Sequence, residues 1–276
     1  MLRKIYHYYD DKIFPYVQDI RGFTRIKSFL RKLSFLELSL EKTKKRDELD
    51  AFSKDWDNLI IIDSCRQDYF EEVTGYSGSR ISKASATPEY VRKNFSEGDF
   101  SEFVYISANP HLSDLKFKQL TGRGLDEVFH AVFKTFNSNW DEEKNTVLPK
   151  NTVKDALTAN KLFPDKKLII HFLPPHYPFV KSKIQHSGIR MHQDNLDNET
   201  IWEKAEKGKI GHEQVKNAYC DNIEYVANFV EELTKKIEGK SILTSDHGNL
   251  VGENGFYGHP EGREERPLKT VPWVEF

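Results

Sequence analysis

The stretch Ser241-Ile242-Leu243-Thr244-Ser245-Asp246-His247-Gly248 decides how the rest of the 276-residue chain is read. A short apolar run ending in Ser-Asp-His-Gly reads as a buried parallel strand. Such a strand delivers side chains to the carboxyl edge of a sheet, where open α/β folds place their ligands. An adjacent Asp and His at that edge suit a divalent cation. The carboxylate is a hard, charged oxygen and the neutral imidazole a nitrogen, a mixture that Zn²⁺ or Mn²⁺ accepts. Gly248 would let the backbone turn sharply and approach the ion. Taken alone, the tetrapeptide more often means a helix cap beside a surface His, so the remainder of the chain has to decide.

Working outward, Leu59-Ile60-Ile61-Ile62 is short, β-branched and closed by Asp63, the pattern of a central parallel strand. It therefore presents Asp63 at the same edge as Asp246. Ser64 to Phe70 turns into a helix. Cys65, beside that Asp, has no His base at a recognisable position after it and reads as a packed thiol. Phe103 to Ser107 is a further strand, with Asn109-Pro110 behind it; Asn109 could touch a ligand, but starting the turn is the favoured reading. Lys167-Leu168-Ile169-Ile170-His171-Phe172-Leu173 is another apolar strand, and the prolines of Pro174-Pro175-His176-Tyr177-Pro178-Phe179 hold His176 in a stiff loop beyond it. Residues 112–163 read as mixed loop and helix, with the clearest helix at Thr152 to Leu162. Val215 to Ile237, with Tyr219, Ile223, Val226, Val230 and Leu233 on one face, is an amphipathic helix leading back to the Asp246 strand. These pieces predict an α/β fold: a mostly parallel central sheet flanked by helices on both faces, with an N-terminal helical appendage.

Gly75 to Ala86 is rich in Ser and Gly and carries Arg80 and Lys83. It ends at Thr87-Pro88, where a helix should begin. Thr87 is read in two compatible ways: as the cap of that helix, and as a hydroxyl nucleophile at a helix N-terminus that favours an anionic substrate.

Composition sets the outer limits. With 38% hydrophobic and 13% aromatic residues the chain can bury a full core, and a formal net charge of -2 gives no reason to propose nucleic acid as partner. Cys65 and Cys220 cannot make a disulfide framework or a thiolate zinc site, so a reducing, cytoplasmic setting is expected. Residues 1–55 are divided from a main domain at 56–276. Within them Phe23, Ile26, Leu30, Leu33, Phe35 and Leu36 recur near helical spacing beside Arg25, Lys27, Arg31 and Lys32. Residues 20–41 could associate peripherally with an anionic membrane, although packing on the main domain is favoured. Residues 181–212, with His186, His192 and His212, read as a substrate-side insertion or mobile lid.

In order, strand-Asp63, Ser/Gly loop-Thr87, strand-loop-His176, strand-Asp246-His247 and Tyr257-Gly258-His259-Pro260 resemble the alkaline phosphatase superfamily in its sulfatase-like branch, over about residues 56–276. The most specific pieces are Trp56 to Arg66, Pro175-His176-Tyr177-Pro178-Phe179, and Thr244 to Gly248 with Tyr257-Gly258-His259. The resemblance implies that Asp63 and Asp246 are metal carboxylates, His247 an imidazole ligand, and Thr87 a nucleophile that also touches the metal. It implies that His176 and His259 contact the transferred group, its leaving oxygen or a second ion, and that one of them donates to the leaving alkoxide. Arg66 and Lys83 would stabilise charge. Two-metal members add an Asp before the loop His; here Ile170-His171-Phe172-Leu173-Pro174-Pro175 holds no carboxylate, so one divalent ion (Mn, Zn, Mg or Ca) is implied. His171 is then at most an extra ligand, and with Asn109 it is placed on the substrate side. Sulfatases carry a Cys/Ser-x-Pro/Ala-x-Arg signature that Ala86-Thr87-Pro88-Glu89-Tyr90 lacks. The implied function is therefore a phosphoesterase or phospho-group transferase, like the phosphoglycerol and phosphoethanolamine transferases, working through a covalent phospho-enzyme on a glycan or lipid-headgroup ester. The alternatives are a sulfuric ester hydrolase and a catalytically silent protein that binds an anion or glycan.

Overall fold

A computed structural model describes residues 48–184 and 199–276. The basic segment over 20–41, and with it the predicted appendage and its membrane association, lies outside the described residues, as do His186 and His192. Among the described residues no helix is long and apolar enough to cross a membrane.

The run Leu59-Ile60-Ile61-Ile62 is apolar on both sides of its alternation, so it belongs in a sheet covered on both faces. It forms β1 (Asn58–Asp63), buried throughout. β2 (Ser79–Ile81), β3 (Phe100–Ser107) and β4 (Phe129–Lys134) follow. The pair β5 (Trp140–Asp141) and β6 (Thr146–Val147) makes a separate small ribbon. Then come β7 (Lys167–Pro175), β8 (Ser241–Thr244), the hairpin of β9 (Leu250–Glu253) and β10 (Phe256–Gly258), and finally β11 (Thr270–Glu275). The main sheet has the order β2-β11-β8-β1-β7-β3-β4. The run from β8 to β4 is parallel, and β11 lies antiparallel between β8 and the edge strand β2.

Five longer helices cover the sheet: α1 (Gln67–Thr74), α2 (Thr87–Phe95), α3 (Asp114–Thr121), α4 (Pro149–Leu162) and α5 (His212–Thr234). Ile60, Ile62, Ile170 and Phe172 face a core shared with α4 and α5, while Leu59, Ile61, Ile169 and Leu173 face an aromatic core shared with α2 and α3. Both faces are thus covered, as the sequence predicts. β4 is the main-sheet strand that the sequence reading of 112–163 missed, along with the short ribbon β5–β6: Phe-His-Ala-Val-Phe-Lys is an edge strand, mostly half-buried, without the long apolar run that marks the inner strands.

The longest helix, α5, also reaches the carboxyl edge. Its Tyr219 hydroxyl donates to the Ser64 carbonyl at 2.5 Å and accepts from the Arg66 N–H at 3.1 Å. One turn on, Asn222 donates to the Pro175 carbonyl at 3.2 Å and accepts from the Val180 N–H at 3.1 Å.

Gly248 is needed for a different reason from the one its sequence suggests. A Cβ there would stand 2.1 Å from the Pro267 carbonyl oxygen, and the Gly248 N–H donates to the Leu268 carbonyl at 2.6 Å. The close approach is to the segment entering β11. Gly248→Ala is expected to cost about 1–3 kcal/mol of stability through overpacking against backbone, seen as a lower urea midpoint with an unchanged m-value.

Candidate active site

Strand alternation gathers the candidate residues. Successive side chains on a strand point to opposite faces. Asp63 continues the parity of Leu59 and Ile61, His171 lies between Ile169 and Leu173, and Asp246 continues the parity of Ile242, all toward the aromatic core. α2 covers that face through Tyr90, Val91 and Phe95, so its first turn puts Thr87 over the strand ends. Ala86 is the residue that flanks the helix, and Thr87 is the first helical residue. The predicted capping role is absent, because the Thr87 hydroxyl donates to Asp246 Oδ2 at 2.8 Å.

Around these groups the polar contacts are dense. His247 Nδ1–H donates to the Gly248 carbonyl at 2.7 Å, which leaves the lone pair on Nε2. That nitrogen lies 3.3 Å from Thr87 Oγ1, 3.4 Å from Asp246 Oδ2 and 3.8 Å from Asp63 Oδ1. Asp246 Oδ1 accepts the N–H groups of Ser64 and His247, each at 3.0 Å; Ser64 reaches it from the left-handed region, at φ 56°. Asn109 starts the turn, the reading favoured for it, and also supports Asp63. Its Oδ1 accepts from the His111 N–H at 2.8 Å and starts the turn, while its Nδ2 donates to Asp63 Oδ2 at 2.5 Å.

Two carboxylates buried together set the electrostatics. Burial, then the Asp246 charge, holds Asp63 well above the usual carboxylate range. Asp246 is pushed up by burial too, but His247, His171, the Ser64 N–H and the Thr87 hydroxyl outweigh this and hold it low. The pair therefore resists carrying two negative charges unless a cation offsets both. Asp63 Oδ1 and His171 Nε2 are buried and have no hydrogen-bond partner, and ligand atoms of Asp63, His171 and Asp246 lie within 4.8 Å of one another. Orphaned acceptors facing two carboxylates, with an imidazole nitrogen and a hydroxyl beside them, fit a divalent cation. His171, placed by sequence on the substrate side and as an extra ligand at most, is fully buried in this cluster.

A cavity of about 370 Å³ opens onto the cluster, lined by Asp63, Thr87, Asn109, His111, His176 and His259 among others. Each imidazole of this wall has Nδ1 next to an oxygen: His111 to Asn109 Oδ1 at 3.0 Å, His176 to the Tyr177 carbonyl at 2.5 Å, and His259 to Asn249 Oδ1 at 3.1 Å. With those oxygens accepting, Nε2 carries the lone pair. Burial pushes His111 and His176 down to about 4 and His259 well below its usual value, so all three are neutral at pH 7. Neutral, each presents an Nε2 lone pair that can accept a proton. His111 was missed by sequence; its one signal was its place two residues past Asn109, at the tip of a strand in the same sheet.

Arg66 and Lys83 are not brought to this cavity. Arg66 is buried and spans Asp68 and Glu253, each at 2.5 Å. Lys83 lies 3.4 Å from Asp50 and lines a separate small cavity with Ala51, Tyr90 and Asn94. Cys65 is buried, and burial raises its thiol well above the usual range, in keeping with a packed residue.

The sulfatase family pattern matches residues 90–272, more than half of the chain. The chain belongs to the sulfatase family. The matched stretch of this sulfatase-family chain holds Asn109, His171, His176, Asp246, His247 and His259, while Asp63 and Thr87 precede it. Its fold is that of the sulfatase-like branch of the alkaline phosphatase superfamily. It is similar to the soluble domain of lipooligosaccharide phosphoethanolamine transferase A from Neisseria meningitidis, at 15% identity and a TM-score of 0.51, over 79% of this chain and 75% of that one. It is also similar to the C-terminal periplasmic domain of phosphoethanolamine transferase EptC from Campylobacter jejuni, at 14% identity and a TM-score of 0.52, over 79% and 78%. A third similar structure is the corresponding domain of EptC from Escherichia coli in complex with Zn, at 13% identity and a TM-score of 0.50, over 79% and 71%. No curated protein sequence matches the chain.

For the Arg66 pair, burial alone would raise Glu253, but the Arg66 charge outweighs it and holds the carboxyl below its usual 4.5. Its stabilising effect is present above that value and is lost as pH falls through the depressed one. Arg66→Met should therefore destabilise the fold by about 3–5 kcal/mol at pH 7, because Glu253 is left buried and unpaired. The deficit should shrink on acidification, as read in denaturant midpoints from pH 7 to pH 3.

Proposed function

We propose that this protein is a metal-dependent phosphoesterase or phospho-group transferase in which Thr87 is the nucleophile. The observation that carries the reading is the position of Thr87 Oγ1, within 2.8 Å of Asp246 and 3.3 Å of His247, at the mouth of the histidine-lined cavity. Asp63, Asp246, His247 and Thr87 would hold the divalent cation. When bound it would lower the pKa of the hydroxyl and offset the charge of the group under attack.

The remaining steps fall to side chains. Thr87 Oγ1 gives its proton to Asp246 Oδ2, its acceptor at 2.8 Å, as it forms the bond to phosphorus. The leaving oxygen departs with the electron pair of the bond that breaks and takes a proton from water, giving a covalent phospho-enzyme; Thr87 regains its proton from Asp246 when it is released. Asn109 holds Asp63 in place through Nδ2 and stands 3.5 Å from Thr87 Oγ1, close enough to steer the hydroxyl. In the second half-reaction the Nε2 of His176 or His259 takes the proton of an incoming alcohol or water as it attacks phosphorus and releases Thr87. Leu173, Pro88 and Pro110 give the cavity apolar walls that suit the organic part of an ester.

Charge narrows the ester class. Among the described residues, no Lys or Arg lines the cavity, and its histidines are neutral. A dication balances the two carboxylates, which leaves no positive surplus for a dianion. The reading is a singly charged diester, of the kind found in glycan and lipid headgroups. The sulfuric ester alternative has Ser85 as its candidate for modification. That hydroxyl is committed to Glu89 and to the Pro260 carbonyl, each at 3.0 Å, which disfavours it; an unmodified intact mass over 85–87 would agree.

Thr87→Ala should abolish turnover of an aryl phosphodiester and the acid-stable phosphorylated peptide trapped by quenching, and Thr87→Ser should restore both in part. Turnover that survives in Thr87→Ala would overturn the assignment. The wild-type kcat/KM for the diester should exceed that for the matching monoester by about tenfold or more, a difference of ~1.4 kcal/mol in transition-state binding.

A further inference from the structure

We propose that His171 is a second imidazole ligand to the cation of this site, and that with His247 it selects a borderline ion such as Zn²⁺ over Mg²⁺ or Ca²⁺. The inference rests on the reading that Asp63 and Asp246 hold one divalent cation, and it goes beyond the four ligands named above.

His171 sits in the middle of β7, paired with Ile61 on one side and Ser107 on the other, and is fully buried. A polar ring in the interior of a sheet needs partners on both nitrogens. Nδ1 has one, the Tyr105 hydroxyl at 2.9 Å, and Nε2 has none. The nearest carboxylate oxygen, Asp63 Oδ2, is 4.0 Å away, too far for a hydrogen bond. Yet 4.0 Å falls between the roughly 3.4 Å of tetrahedral neighbours and the roughly 4.2 Å limit for two atoms about 2.1 Å from one ion, so a small closing movement would let both bind it. The same two carboxylates that face His247 also face His171, so both rings converge on a single cluster.

The surroundings of the ring match those of a metal ligand. Metal-bound imidazoles donate their other N–H to a fixed oxygen, which sets tautomer and orientation. Tyr105 is that oxygen, and its own ring is wedged against Phe95 and Phe129 with centroids at 6.0 and 5.1 Å. With Nδ1–H donating to Tyr105, the lone pair on Nε2 points at the carboxylates. Two imidazoles among carboxylate and hydroxyl oxygens suit Zn²⁺, whereas Mg²⁺ and Ca²⁺ prefer oxygen throughout.

The full chain loaded with Zn²⁺ tests this by X-ray absorption, which counts imidazoles, and by competition titration with Zn²⁺ and Mg²⁺. Wild type should show two imidazoles. His171→Gln should show one and lose Zn²⁺ affinity by more than the roughly 10–100-fold that removing a supporting partner costs, while its weak Mg²⁺ binding changes little. Tyr105→Phe should keep two imidazoles and lose affinity within that 10–100-fold range. Equal melting temperatures of wild type and His171→Gln in chelator would show that the loss is not misfolding. If His171→Gln fails to fold, the wild-type count and Tyr105→Phe still decide. One imidazole in wild type, with Zn²⁺ affinity unchanged in His171→Gln, would overturn the role of His171 and leave the cation reading standing. A wild type that takes up no cation would overturn both.

Discussion

The arrangement depends on two carboxylates forced together in the absence of water. β1 and β8 are adjacent parallel strands, registered so that Ile61 lies beside Thr244, and each continues past its ladder into an Asp on the same face. Neither Asp63 nor Asp246 retains any solvent contact. A hydrophobic sheet interior would ordinarily reject such a pair, since one charge raises the cost of the next. The surrounding polar groups are the compensation. Two backbone N–H groups and the Thr87 hydroxyl hold Asp246 ionised, Asn109 supports Asp63, and imidazole nitrogens close the remaining side.

This accounts for what the sequence could convey. Asp63, Asp246 and His247 stand at the ends of apolar runs, and an apolar run stopped by a charged residue is a local signal that survives without any knowledge of pairing. Thr87 was legible for the wrong reason. A Thr before Pro at a helix start looks like a cap, and only its depth beneath the strand ends turns its hydroxyl toward Asp246 instead of its own helix. Asn109 looked like a turn residue and is one, with the other half of its amide spent on Asp63.

The misreadings concern groups whose meaning lies in partners far along the chain. Arg66 follows Asp63 closely, and nothing nearby announces that its guanidinium is taken by Glu253, in a hairpin at the other end of the sequence. His171 resembles any polar residue that interrupts a strand. Its alternation with Ile169 and Leu173 gives its face, but that face acquires meaning only once β1 and β3 flank it. Lys269 is a similar case: it is almost entirely buried, held by Glu48 and Glu264, and in sequence it looks like an ordinary surface lysine near the C-terminus.

Tyr219 and Asn222 are one turn apart on α5, so they present a single edge of a rigid rod. One grips the turn after Asp63 and the other grips the backbone around His176. The gap between the first-strand carboxylate and the loop histidine is therefore gauged by a helix that contributes no side chain to the chemistry. Sliding that rod along its axis would carry both fixtures together and preserve their separation, whereas rotating it would pull them apart.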